Sequence, residues 1–136
     1  MIPREVRKLV DRALNKTDKI ILLLGARQVG KTTLVKALQN PEDLYLNCDI
    51  EEQLDRINTT SLQKLQKNMK GVKRLFVDEA QGLDNPGLTL KIMYDNFKEV
   101  RILATGSSSF ELKNSLSDAL TGRYLDFELL PFSLSE

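Results

Sequence analysis

Residues 25–32 read Gly25-Ala26-Arg27-Gln28-Val29-Gly30-Lys31-Thr32, two glycines, a lysine and a threonine at the spacing GxxxxGK[ST]. Glycine at both fixed positions lets the backbone curl until successive N–H groups face one anion. Lys31 adds a cation at the same spot and Thr32 a hydroxyl suited to a hard metal ion. That is the chemistry of holding a nucleotide triphosphate, with Lys31 bridging the β- and γ-phosphates and Thr32 ligating Mg2+. The expected nucleotide-binding stretch is Gly25, Ala26, Arg27, Gln28, Val29, Gly30, Lys31, Thr32 and Thr33. A second set is the carboxylate pair Asp78-Glu79, closing the apolar run Leu75-Phe76-Val77. Asp78 is placed to hold Mg2+ through water, and Glu79 to orient or deprotonate an attacking water. A third is Thr105-Gly106-Ser107-Ser108, with Ser107 the first choice and Thr105 the second for a hydroxyl that senses the γ-phosphate. The other reading of that segment is a polar loop that touches no ligand.

These groups need a scaffold, and the chain alternates strand and helix patterns throughout. The apolar run Ile20–Leu24 marks an expected buried strand Lys19–Gly25, and the helical pattern Thr33–Leu38 falls in an expected helix over residues 30–40, stopped by Asn40-Pro41. Before them, Val6, Leu9, Val10, Ala13 and Leu14 mark one apolar face of a helix over residues 4–15. Asp43–Asp49 is expected as a second strand. A helical stretch follows, with Leu54, Ile57, Leu62, Leu65 and Met69 inward and a break near Thr59-Thr60. Arg74–Ala80 is the third strand, Asn85-Pro86 opens a helix with Leu88, Ile92, Met93 and Phe97 inward, and Arg101–Ser107 is the fourth strand. A helix carrying Leu112, Leu116, Ala119 and Leu120 precedes a fifth strand, Tyr124–Pro131. This alternation specifies an α/β fold with a parallel sheet covered on both faces. Ligands in such sheets bind at the carboxyl ends of the strands, where all three polar sets fall.

Composition narrows the classes. With 136 residues the chain is one domain able to bury a core, and 20 basic against 19 acidic residues give no global pull toward nucleic acid or anionic membrane. The absence of histidine leaves a carboxylate to do any general-base work, and with Cys48 the single cysteine a Cys/His zinc site is not expected. No apolar run is long enough to span a bilayer and residues 1–5 lack a signal core, so a cytoplasmic protein is expected. Arg4, Arg7, Lys8 and Arg12, and the later Lys64, Lys67, Lys70, Lys73 and Arg74, are read as solvated basic faces; nucleic-acid binding is not indicated.

Asn15-Lys16-Thr17-Asp18 matches the guanine-reading pattern NKxD, but it precedes the first strand. A strand of that length would hold it ~20 Å from the phosphates, so it is read as a helix-to-strand turn. The switch pattern DxxG fails at Gln81. ATP is the expected nucleotide.

Taken together, several stretches resemble AAA+ ATPases, and more narrowly the predicted bacterial and archaeal ATPases whose P-loop domain precedes a C-terminal domain of unknown function. These are IPRE at Ile2–Glu5, LLLGARQVGKTTL at Leu22–Leu34, YLNCD at Tyr45–Asp49, RLFVDEAQ at Arg74–Gln81, LATGSSS at Leu103–Ser109 and LTGRYLDFELLPFSLSE at Leu120–Glu136. The resemblance implies a P-loop NTPase fold with a five-stranded parallel sheet in the order 5-1-4-3-2. It implies that Arg123, just before the fifth strand, reaches a neighbouring subunit's γ-phosphate in a homo-oligomer; the alternative is an ordinary surface arginine. By analogy Ile2 and Pro3 line the adenine pocket. The helical lid usual in such ATPases is not expected within residues 1–136, which are read as an N-terminal fragment of a longer architecture. The expected activity is Mg2+-dependent ATP hydrolysis, with Glu79, Lys31, Ser107 and Arg123 catalytic and Thr32 and Asp78 at the metal. The alternative is a switch or interaction module that binds ATP or ADP with negligible turnover, and a DNA-associated motor or loader is a further one.

Overall fold

The computed structural model describes residues 4–26 and 29–130. In chain order these are α1 (Arg4–Lys16), β1 (Ile20–Gly25), α2 (Lys31–Leu38), β2 (Leu44–Asn47), α3 (Glu51–Leu54), α4 (Leu62–Asn68), β3 (Arg74–Asp78), a 3-10 turn (Ala80–Gly82), α5 (Pro86–Asn96), β4 (Arg101–Gly106), α6 (Phe110–Ala119) and β5 (Tyr124–Leu129). The five strands form one parallel sheet ordered β2-β3-β4-β1-β5, the expected order. Among the described residues, no helix is long and apolar enough to cross a membrane.

Period-two alternation divides each strand between two apolar layers. In β1, Ile20, Leu22 and Leu24 pack with Val77, Ala104, Leu90, Met93, Leu116 and Leu120, on the side covered by α3 to α6. Ile21 and Leu23 face the other way, against Val10 and Leu14 of α1 and Leu34 and Val35 of α2, with Phe76 and Leu103 alongside. Every residue of β1 is therefore buried. A strand covered on both faces tolerates no polar side chain along its length, so polar groups collect at its ends.

The strand and helix limits have local causes. Strand β2 is shorter than expected because the Asp49 N–H donates to Asn47 Oδ1 at 2.9 Å, turning the chain. Ser61, Asn85 and Ser109 each cap a helix through their side-chain oxygens. Asn15–Asp18 is the helix-to-strand turn it was expected to be: Thr17 Oγ1 accepts the Lys19 N–H at 3.0 Å and Asn15 Oδ1 accepts from Arg74 at 3.0 Å.

Three leucines expected to face inward do not. Leu9 is 51% exposed, and Leu62 and Leu88 are each 37% exposed. On α1 the contact narrows to Val10 and Leu14 at i and i+4. Leu62 is the first residue of a seven-residue helix whose burial falls on Leu65. On α5 the buried set is Gly87, Thr89, Leu90 and Met93, which rotates Leu88 outward.

Candidate functional site

Two glycine positions shape the loop after β1. A Cβ on Gly25 would lie 2.7 Å from the Leu129 carbonyl oxygen, so only glycine lets β5 pass this closely. Gly30 has φ 95° and ψ 18°, the left-handed region, immediately before α2. The first intrahelical bond of α2 runs from the Leu34 N–H to Gly30 O at 3.0 Å. The preceding first-turn N–H groups belong to the positive end of the helix, where an anion is favoured. Between the glycines the Val29 N–H turns back to Ala26 O at 3.3 Å. Arg27 and Gln28, named from the sequence, lie outside the described residues, as do Ile2, Pro3 and residues 131–136.

Lys31 is 1% exposed, an unusual state for a lysine. Its ammonium donates to the carbonyls of Gly25 and, at 2.9 Å, Ala26. The side chain thus runs back along its own loop and places its charge where the loop curls. Thr32 follows on α2, and its hydroxyl donates to Asp78 Oδ2 at 2.9 Å. Thr33 is exposed at the next position.

Asp78 ends β3 and is fully buried. A buried carboxylate must have its oxygens satisfied, and three hydroxyls supply the bonds. Oδ2 accepts from Thr32 and, at 2.6 Å, from Tyr45; Oδ1 accepts from Thr105. Thr105 is 1% exposed, and its oxygen also accepts the Glu79 N–H at 3.0 Å. It therefore ties the tips of β3 and β4 together.

Glu79 is 7% exposed and adopts φ 58°, ψ 55°, the only described residue other than glycine with positive φ. Such a backbone costs about 1–3 kcal/mol and persists only where the surroundings hold it. Here the Glu79 carbonyl accepts the Gly82 N–H at 3.0 Å, and Oε1 accepts from Gln81 Nε2 at 2.7 Å. Gln81 Oε1 in turn takes the Ser107 N–H at 3.4 Å. Ser107 is half-buried at the end of β4.

The rim thus gathers Lys31, Thr32, Asp78, Glu79 and Thr105, with Ser107 tied to it through Gln81. It has no histidine. It can cradle a polyanion on loop amides and a lysine, offer hydroxyl and carboxylate oxygens to a hard cation, and hold a second carboxylate next to both. That donor set fits Mg2+. Among the described residues no group of three or more His, Cys, Asp or Glu could hold a metal, so an ion here would share its shell with phosphates and water.

Arg123 is elsewhere. It precedes β5 at the level of Ile20, the first residue of β1, at the end of the sheet opposite the loop. Its guanidinium forms a two-pronged pair with Asp95 of α5, Nε to Oδ1 at 2.9 Å and Nη2 to Oδ2 at 3.3 Å, and donates to Thr121 O. The hydrogen bond from Arg123 holds the Asp95 carboxyl below the usual carboxylate range. Within its own chain Arg123 does not reach the phosphate loop.

Sequence reasoning assigned no role to Tyr45 or Gln81, although both lie in stretches it singled out. Cys48, beside them at the end of β2, is buried. Burial first, then the carboxylates Asp49, Asp78 and Glu79, push its thiol up to about 12.

Comparison with known proteins agrees with this architecture. The profile of the AAA domain family matches residues 17–136. An uncharacterized protein of Methanocaldococcus jannaschii is 32% identical over 127 residues, covering 88% of this chain and 28% of that protein. One of Mycobacterium tuberculosis is 29% identical over 123 residues, covering 88% of this chain and 26% of its own length. The chain thus spans between a quarter and a third of these relatives. Among solved structures, a DNA replication initiation factor superposes with a TM-score of 0.60 at 18% identity, over 93% of this chain and 45% of that one. PCH-2 of C. elegans gives 0.55 at 17% identity, over 93% and 40%. At such identities the likeness is one of fold. The chain belongs to the AAA domain family and has the fold of an AAA+-type P-loop NTPase.

Proposed function

We propose that this domain binds ATP with Mg2+ and hydrolyses its β–γ bond by attack of water. The observation that carries the reading is the meeting of Thr32 and Asp78 at 2.9 Å beside Glu79, one step from the curled loop that holds Lys31. In this reading the loop amides and Lys31 hold the phosphates, and Lys31 exchanges its bonds to Gly25 and Ala26 carbonyls for phosphate oxygens. Thr32 and Asp78 would hold Mg2+, which when bound neutralises charge on the β- and γ-phosphates. Glu79 orients the attacking water and accepts its proton, a role that falls to a carboxylate because no histidine is present. Ser107 is the hydroxyl that reads the γ-phosphate. Thr105, the second choice for that hydroxyl, bonds Asp78 and the Glu79 N–H in this structure.

The test is nucleotide binding and phosphate release in two variants. Lys31→Ala should lose ATP binding. Glu79→Gln should bind ATP as the parent does while phosphate release falls by roughly 100-fold or more. Undiminished release in Glu79→Gln would remove the base assignment. A second reading, a nucleotide-operated switch with negligible turnover, is favoured by one observation, the bond that holds Glu79 Oε1 on Gln81. It predicts tight binding with no release in the parent protein.

A further inference from the structure

Asp78 Oδ2 carries two hydroxyl donors, and they come from different elements. Thr32 reaches it from the helix that follows the phosphate loop; Tyr45 reaches it from the neighbouring strand. Tyr45 stands in register with Phe76, two residues before Asp78 on the same face of β3, so its ring spans the diagonal to the carboxylate. Lys36 of α2 lies over that ring, its ammonium 3.9 Å from the centroid. Tyr45 therefore touches both elements that would supply ligands to a metal: β3 through its hydroxyl and α2 through its ring.

We propose that Tyr45 is a positioning residue of the metal site, holding the Asp78 carboxylate in place while Thr32 turns its hydroxyl toward the cation. This inference rests on the nucleotide and metal reading given above. In the structure Thr32 spends its proton on Oδ2. A threonine oxygen that offers a lone pair to a cation keeps its proton, so Thr32 can hold the cation and Asp78 Oδ2 together only while the fully buried carboxylate stays in place. The Tyr45 bond at 2.6 Å keeps the carboxylate from rotating out of its place beside Thr32. Partners of this kind, one step removed from a metal, commonly change metal affinity by about 10-fold to 100-fold when deleted.

The experiment separates the metal from the nucleotide. Tyr45→Phe keeps the ring under Lys36 and removes only the hydroxyl. ADP binding is measured without divalent ions, and Mn2+ binding to the protein–ADP complex is followed by the loss of the free Mn2+ signal in electron paramagnetic resonance. The expected result is metal-free ADP affinity within about twofold of the parent and Mn2+ affinity weaker by roughly tenfold. Parent-like Mn2+ affinity in Tyr45→Phe overturns the proposal. Lys36→Met is the second variant, removing the cation over the ring and leaving the hydroxyl. If it weakens Mn2+ as much as Tyr45→Phe does, the effect comes from packing and the hydroxyl role is overturned. A parent protein that binds no ADP at all overturns the nucleotide reading itself, a distinct outcome visible before any variant is made.

Discussion

The Gln81 side-chain amide donates to Glu79 Oε1 at 2.7 Å, and through its other end Gln81 accepts the backbone N–H of Ser107. The carboxylate proposed as the base is thereby fastened to the tip of β4, the strand proposed to read the γ-phosphate. Glu79 Oε1 must give up this bond before that oxygen can take up a water. Gln81→Ala should free Glu79 and raise phosphate release by about fivefold, the worth of one net hydrogen bond of ~1 kcal/mol, with ATP affinity unchanged. A fall in release would mean that Gln81 aims Glu79 rather than restraining it.

Gly25 is where β1 meets both the loop and β5. A Cβ there would lie 2.7 Å from Leu129 O and 3.1 Å from Val29 Cγ2, and the first of these is backbone that cannot swing away. Gly25→Ala should destabilise the fold by about 1–3 kcal/mol in denaturant titrations. It should also weaken nucleotide binding, because the loop starts from this residue. Unchanged stability would mean that β5 shifts aside at no cost.

Arg123 is proposed to act only on a neighbouring copy, and for that it must leave Asp95. Phosphate release per molecule should then rise with protein concentration, and Arg123→Ala should flatten the rise. Asp95→Asn, which weakens the competing pair, should shift the rise to lower concentration. A specific activity independent of concentration in the parent would leave Arg123 as the surface partner of Asp95. The pair is partly exposed, its side chains 29% and 37% accessible, so either change should cost no more than about 1 kcal/mol of stability.

Cys48 makes the alkaline limit of the fold predictable. Its thiol is raised from 9.0 to about 12 in the folded chain, chiefly by burial. Above pH 9 the unfolded chain releases this proton and the folded chain does not, so stability is complete below pH 9 and declines as pH rises toward 12. Thermal unfolding across that range should show a smaller decline in Cys48→Ala. Native Cys48, 4% exposed, should resist alkylation at pH 8 and react on unfolding. Rapid native alkylation would contradict the burial.

The sequence by itself determined the chemistry of the rim. The loop pattern is contiguous, Asp78-Glu79 and Thr105–Ser107 each close an apolar strand, and a parallel sheet gathers strand ends of the same sense along one edge. The strand order followed from the family resemblance, and the structure has it. Tertiary structure alone decided which groups touch. Tyr45 and Asp78 are 33 positions apart and meet because the β2–β3 register places one diagonal to the other. Arg123 and Asp95 meet across 28 positions through the approach of α5 to the start of β5. Glu79 takes a left-handed backbone that its residue type disfavours, which only the surrounding bonds from Thr105, Gln81 and Gly82 explain. Leu9, Leu62 and Leu88 turned outward for a related reason. Periodicity marks the apolar side of a helix, but how the helix crosses the sheet, and where it begins, decides which residues on that side are covered.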